Sequence, residues 1–169
     1  MTFRMPAEWA PHDWTWIGFP TNPDEWPDAF DAARGQIAAF ANALQAGGKG
    51  PPQIMQGPTR HRLRDRLLEC RAKARHSLAE TARAICTVAS RREQGDVWLR
   101  DTAPIAVLNG EGARALVDFG FNGWGGKYQM PGDEDIGARL AATTGLPTST
   151  QHWVFEGGAI DTDGPGLFV

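Results

Sequence analysis

Residues 104–156 switch from one side-chain period to another, and that switch constrains the fold more than any other feature of the chain. Ile105–Leu108 and Ala113–Phe119 are short apolar runs of strand length. Asn109-Gly110-Glu111-Gly112 separates them with residues that favour a hairpin. A glycine-rich loop follows at 123–126, and a helix then opens near Gly132-Asp133. The helix carries Ile136 and Leu140 on one face and closes at Gly145, with Pro147 beyond. A last strand at about Thr150–Phe155 ends at Glu156. The result is a strand–strand–helix–strand unit, the pattern of an α/β fold.

The flanking segments read less evenly. Residues 1–20 form an irregular lead-in holding Trp9, Trp14 and Trp16, with a short strand around Thr15–Phe19. Pro27 suits a first helical position, and Phe30, Ile37, Phe40 (or Ala41) and Leu44 recur at helical spacing until Gly47-Gly48 stops the helix. An apolar strand should come next in an α/β chain, and the sequence shows none. Residues 49–95 instead hold more than half of the basic residues, among them Arg60, Arg62, Arg64, Arg66, Arg71 and Arg75. Leu63, Leu67, Cys70, Ala74, Leu78, Ala82 and Ile85 still repeat every three or four positions, as in a long amphipathic helix. Three readings stand: a solvated helix face, a basic face for an acidic partner, or a stretch foreign to the fold. A second hairpin is expected at 159–169 around Asp163-Gly164, and the chain stops in mid-strand at Leu167-Phe168-Val169.

At 169 residues the chain is long enough for one domain with a sizeable core. A net charge of −3 argues against nucleic acid as the main partner. No apolar run reaches the roughly 20 residues needed to span a bilayer. The N-terminus lacks the apolar stretch of a secretory signal. Neither a membrane nor a secreted location is expected, and a cytoplasmic one is. Cys70 and Cys86 make neither a disulfide framework nor metal-ligand spacing.

Three separated phrases carry the chemistry: Asp96-Val97-Trp98-Leu99-Arg100-Asp101, Phe121-Asn122-Gly123-Trp124-Gly125-Gly126 and Glu156-Gly157-Gly158. Each sets carboxylates or large rings beside turn residues. Carboxylates next to indole faces suit a planar, delocalised cation such as a guanidinium, which offers a fork of N–H donors at any physiological pH. A plainer reading accompanies each residue. Asp101 could cap a turn before Pro104, Arg100 could pair with Asp96 or another acid as a brace, and Glu156 could be a bulge residue. Asp133, Glu134 and Asp135 read as charges in a helix's first turn.

Together with Met5-Pro6-Ala7-Glu8-Trp9, Thr15-Trp16-Ile17-Gly18-Phe19-Pro20 and Pro104, these phrases resemble the agmatine deiminase family. That family includes the bacterial-type peptidylarginine deiminases and belongs to the guanidine-modifying superfamily. The resemblance covers residues 5–46 and 95–169 in order and in spacing. It implies the pentein fold, a five-bladed pseudo-symmetric α/β propeller of strand–strand–helix–strand units, with roughly the N-terminal half present. On this reading residues 1–169 form a partial pentein domain in which 1–46 and 95–169 are family-like. Residues 47–94 are atypical, either inserted or read from a shifted frame, with Val169 a premature end. Translating the coding DNA in the other two frames tests that expectation.

The resemblance also implies a chemistry. In the family a cysteine thiolate attacks the guanidinium carbon, a histidine moves protons, and ammonia leaves. Water then hydrolyses the thiouronium to a ureido product. Asp101 and Glu156 would be the guanidinium-binding carboxylates, and Asp96, Trp98, Asn122 and Trp124 would line or brace the pocket. Agmatine is the expected substrate, with peptidyl or free arginine as the alternative, and no metal or organic cofactor is implied. The family's Gly-Gly-x-Asn-x-His-Cys and Gly-His-x-Asp phrases do not occur in these 169 residues. Cys70, Cys86, His12, His61, His76 and His152 stand outside any such context. The isolated chain is therefore expected to be inactive, a guanidine-binding remnant that associates through exposed strand edges. An amidinotransferase shares the fold but fits the motif wording less well.

Overall fold

The computed structural model describes residues 2–20, 22–46, 52–56, 86–89, 97–128 and 130–164. In chain order its main elements are β1 (Phe3–Arg4), β2 (Thr15–Gly18), α1 (Phe30–Ala46), β3 (Pro52–Gln56), β4 (Cys86–Ala89), β5 (Ile105–Asn109), β6 (Arg114–Gly120), α2 (Ile136–Thr144) and β7 (Thr148–Val154). They divide into two compact units: Met1–Ala10 with Trp98–Val169, and Pro11–Val97.

The first unit is a sheet of order β1-β5-β6-β7. Asn109 makes the β5–β6 hairpin: its side-chain oxygen accepts from the N–H groups of Glu111 at 3.0 Å and Ala113 at 2.8 Å. Gly112 takes the positive φ that completes the turn. α2 then crosses over to make β7 parallel to β6, after a 3-10 turn at Asp133–Asp135. Gly145 ends α2 in the left-handed conformation. Leu116 of β6 and Ile136 and Leu140 of α2 are fully buried. Each such side chain contributes about 1.5–3 kcal/mol by leaving water. Asp118, two residues beyond Leu116 and so on the same face of β6, is 6% exposed. Burial raises its carboxyl pKa above the ordinary value. Gly137 of α2 makes room for it, since a side chain there would land on Asp118 Oδ1.

The β6–β7 register is uneven. Asp118 pairs with Thr150, but Gly120 pairs with Val154, so β7 carries two extra residues in a bulge. β1 lies within the lead-in expected to be irregular. It pairs antiparallel with β5, Phe3 opposite Asn109. Two residues show no alternation, and the open edge of β5 makes them a strand.

The second unit has order β2-β3-β4, all parallel. Ile17, Phe19, Ala38 and Ala41 form its core, with Ile37 and Leu44 packed against them. Of the two residues that could have continued the helical stripe, Ala41 is buried and Phe40 exposed. Gly18 admits no side chain because the Val97 backbone lies against it.

One expectation is corrected here. The strand found missing after α1 is β3, which pairs with β2 from Thr15 opposite Pro52 to Gly18 opposite Met55. Its sequence, Pro-Gln-Ile-Met-Gln, shows no alternation, and Pro is tolerated because it opens the strand. Cys86 opens the strand β4 directly after Ile85, the last residue of the expected helical repeat. The helical stretch expected from Leu63 onward, Cys70, Asp96 and Leu167–Val169 lie outside the described residues. No helix among the described residues is long and apolar enough to cross a membrane.

Candidate functional site

Asp101 sits on a single helical turn, Leu99–Thr102, that follows Trp98. Leu99 and Thr102 are buried and anchor the turn. The Trp98 carbonyl accepts from the Asp101 and Thr102 N–H groups at 3.1 and 3.3 Å, and from the Thr102 hydroxyl at 3.2 Å. Anchoring the first and last residues this way turns Arg100 and Asp101 outward. The Asp101 carboxylate then accepts one donor on each oxygen: the Gly158 N–H on Oδ1 at 2.9 Å and the Trp124 indole N–H on Oδ2 at 3.2 Å. An ionised carboxylate has about four acceptor positions, so each oxygen keeps capacity for a further donor.

Trp124 belongs to the glycine-rich turn Gly123–Gly126. Gly123, Trp124, Gly125 and Gly126 all have positive φ, and for Trp124 (φ 54°, ψ 55°) that conformation is strained. Asn122 holds the turn together. Its side-chain oxygen accepts from Gly125 N–H at 2.9 Å, and its carbonyl accepts from Gly126 N–H at 2.8 Å. The Trp124 ring meets Phe121, Tyr128 and Trp98 edge-to-face, at centroid distances of 5.0, 6.2 and 6.4 Å. Trp98 and Tyr128 remain more than half exposed, so the ring cluster opens to solvent.

Glu156 follows β7 in extended conformation and caps the 3-10 turn Gly157–Ala159 through its backbone, its carbonyl accepting from Ala159 N–H at 2.9 Å. Its side chain makes no capping bond. The two glycines fit close approach: a side chain at Gly157 would strike the Arg100 carbonyl, and one at Gly158 would strike Asp101 Oδ1. Arg100 ties the same loops from behind. Its guanidinium reaches Glu8 at 2.7 Å, Asp161 at 3.2 Å and the Ile160 carbonyl at 3.0 Å. The hydrogen bond to Glu8 holds the Arg100 pKa above its usual value. Such half-exposed pairs contribute little stability each; what they fix is the placement of residues 100 and 161.

Of the six residues expected at a site, Asp101, Trp98 and Trp124 come together directly. Asn122 braces the Trp124 turn, Glu156 stands two residues before Gly158, whose N–H holds Asp101, and Asp96 lies outside the described residues. The brace expected of Arg100 is made with Glu8 and Asp161. Sequence reasoning passed over Gly158, whose N–H is half of the hold on Asp101, and Tyr128 and Phe121, which wall Trp124. The glycine pair after Glu156 was the available signal for Gly158; Phe121 opens the phrase that contains Trp124.

Residues 4–169 match the family described as Porphyromonas-type peptidyl-arginine deiminase. A Streptomyces coelicolor protein provisionally named agmatine deiminase is 36% identical over all of this chain and 46% of its own length. The agmatine deiminase of Ectopseudomonas mendocina is 30% identical over 99% of this chain and 43% of its own. Among solved structures, the agmatine deiminase of Enterococcus faecalis superposes with a TM-score of 0.74 at 23% identity, over 98% of this chain and 42% of that one. The fold is the pentein fold of such deiminases. The chain spans less than half the length of these curated relatives.

Proposed function

Because this chain belongs to the Porphyromonas-type peptidyl-arginine deiminase family, we propose that its site binds the guanidinium end of a small cation. Agmatine is the substrate of the complete reaction, which is hydrolysis of the guanidine C–N bond with release of ammonia. The observation that carries this reading is the Asp101 carboxylate, held on both oxygens and set beside the Trp98 and Trp124 rings. A fixed carboxylate matches the guanidinium fork, and the exposed Trp98 ring offers a surface for its flat face. Holding the cation charged keeps its carbon electrophilic, and Glu156 supplies a second acceptor from the neighbouring loop. The residues of this chain thus bind and orient the group on which a thiolate would act.

The 169 residues do not contain the family's cysteine and histidine phrases. An ammonia-release assay with agmatine is therefore expected to show no turnover by the isolated chain, because loss of a nucleophile removes several orders of magnitude in rate. Titration calorimetry is expected to show agmatine binding that Asp101→Asn weakens about tenfold or more, the magnitude of a lost charge-assisted hydrogen bond. Enzyme-like turnover abolished by Cys70→Ser or Cys86→Ser would overturn the proposal, as would binding indifferent to Asp101→Asn. The family description favours a second substrate, peptidyl-arginine. Tighter binding of an acylated arginine amide than of agmatine would select it.

A further inference from the structure

The loop that carries Trp124 is built at a cost. Tryptophan is a poor residue for the left-handed region, yet Trp124 occupies it between three glycines that adopt it freely. Such strain persists only where the surroundings over-determine it. Here they do: the Asn122 cap fixes the turn, and Phe121, Tyr128 and Trp98 meet the indole edge-to-face at interplanar angles of 81–89°. The strained backbone and the three rings have one visible product, an indole N–H aimed at Asp101 Oδ2.

Resting on the guanidinium-site reading, we infer that Trp124 is a positioning residue that selects a guanidinium over an ammonium by fixing the plane of the Asp101 carboxylate. One donor on each oxygen defines that plane: Gly158 N–H holds Oδ1 and Trp124 Nε1–H holds Oδ2. A guanidinium is a flat fork whose two N–H bonds must meet both oxygens in one plane, so it gains from a fixed carboxylate. An ammonium is a compact point charge with rotating donors, and it binds a tumbling carboxylate as well as a fixed one. Removing the indole donor frees the carboxylate to rotate. The loss falls on the fork and spares the point charge.

Trp124→Phe keeps an aromatic ring in the cluster and deletes the N–H. Affinities of butylguanidinium and butylammonium are measured for both proteins by titration calorimetry. The wild-type chain is expected to prefer butylguanidinium, and Trp124→Phe to reduce that preference about tenfold with little change for butylammonium. A merely structural role would weaken both ligands alike. An unchanged preference in Trp124→Phe overturns this inference alone, whereas a wild-type chain that binds neither probe overturns the guanidinium-site reading and this inference with it. Should Trp124→Phe fail to fold, the Trp124 indole N–H resonance is compared in wild-type protein and Asp101→Asn. A displaced signal supports the contact, and an unmoved one overturns it.

Discussion

A single methyl group measures how tightly the Asp101 site is assembled. Gly158 has no positive φ to require glycine; it is constrained by space, since a side chain there would land on Asp101 Oδ1. Gly158→Ala is expected to displace the carboxylate and weaken guanidinium binding about tenfold, with a stability loss of about 1–3 kcal/mol from overpacking. Calorimetric titration alongside a thermal melt checks this. A large fall in melting temperature with unchanged affinity would show that the residue serves packing alone. The types of residue at the site were legible in the sequence, because carboxylates beside indoles admit few partners. Their connections were not. That the Gly158 backbone holds Asp101, that Trp124 is left-handed and that Arg100 reaches Glu8, ninety-two positions away, depend on tertiary placement that no local pattern encodes.

Among the elements, those marked by an apolar repeat or by flanking turn residues were readable, and those without either were not. α1, β5, β6, α2 and β7 follow apolar repeats and turn residues closely, Asn109 and Gly145 marking their ends. β1 and β3 escape because two residues, or a Pro-Gln start, show no period, and only pairing makes them strands. β6 and α2 meet at a buried acid that suits neither. Burial raises the Asp118 pKa in the folded protein above its unfolded value, so the group costs stability once pH exceeds the unfolded carboxylate range. That cost is absent below the unfolded pKa and grows as pH rises through the folded one. Asp118→Asn is accordingly expected to melt higher than the wild-type chain at neutral pH, the gap closing as pH falls toward ~4. Melting curves across pH decide it, and a gap that widens in acid would reverse the assignment.

For the whole molecule, the question is what covers β7. Among the described residues it pairs on one side only, with β6, and Trp153 and Val154 at its end are 55% and 46% exposed. Phe119, Trp153 and Phe155 cluster there at centroid distances of 4.8–5.4 Å. An open strand edge beside exposed rings recruits other chains. Light scattering at rising concentration is expected to show self-association that Trp153→Lys reduces. A monomer at every concentration would count against it. The proposal that residues 47–94 are inserted or read out of frame has to accommodate β3, which pairs with β2, and β4, which pairs with β3; both fall within that span. The family match also runs through it.

The bulge in β7 gives the fold a ruler. Between Asp118 and Gly120 one strand advances two residues while its neighbour advances four. At about 3.3 Å per residue, the slack taken up is roughly 7 Å of chain. Because side chains alternate with a period of two, a change of two residues leaves every inward and outward position as it was, while a change of one inverts them. Evolution could therefore lengthen or shorten the strand that leads into Glu156 in two-residue steps, shifting that residue along the chain without exchanging the two faces of β7.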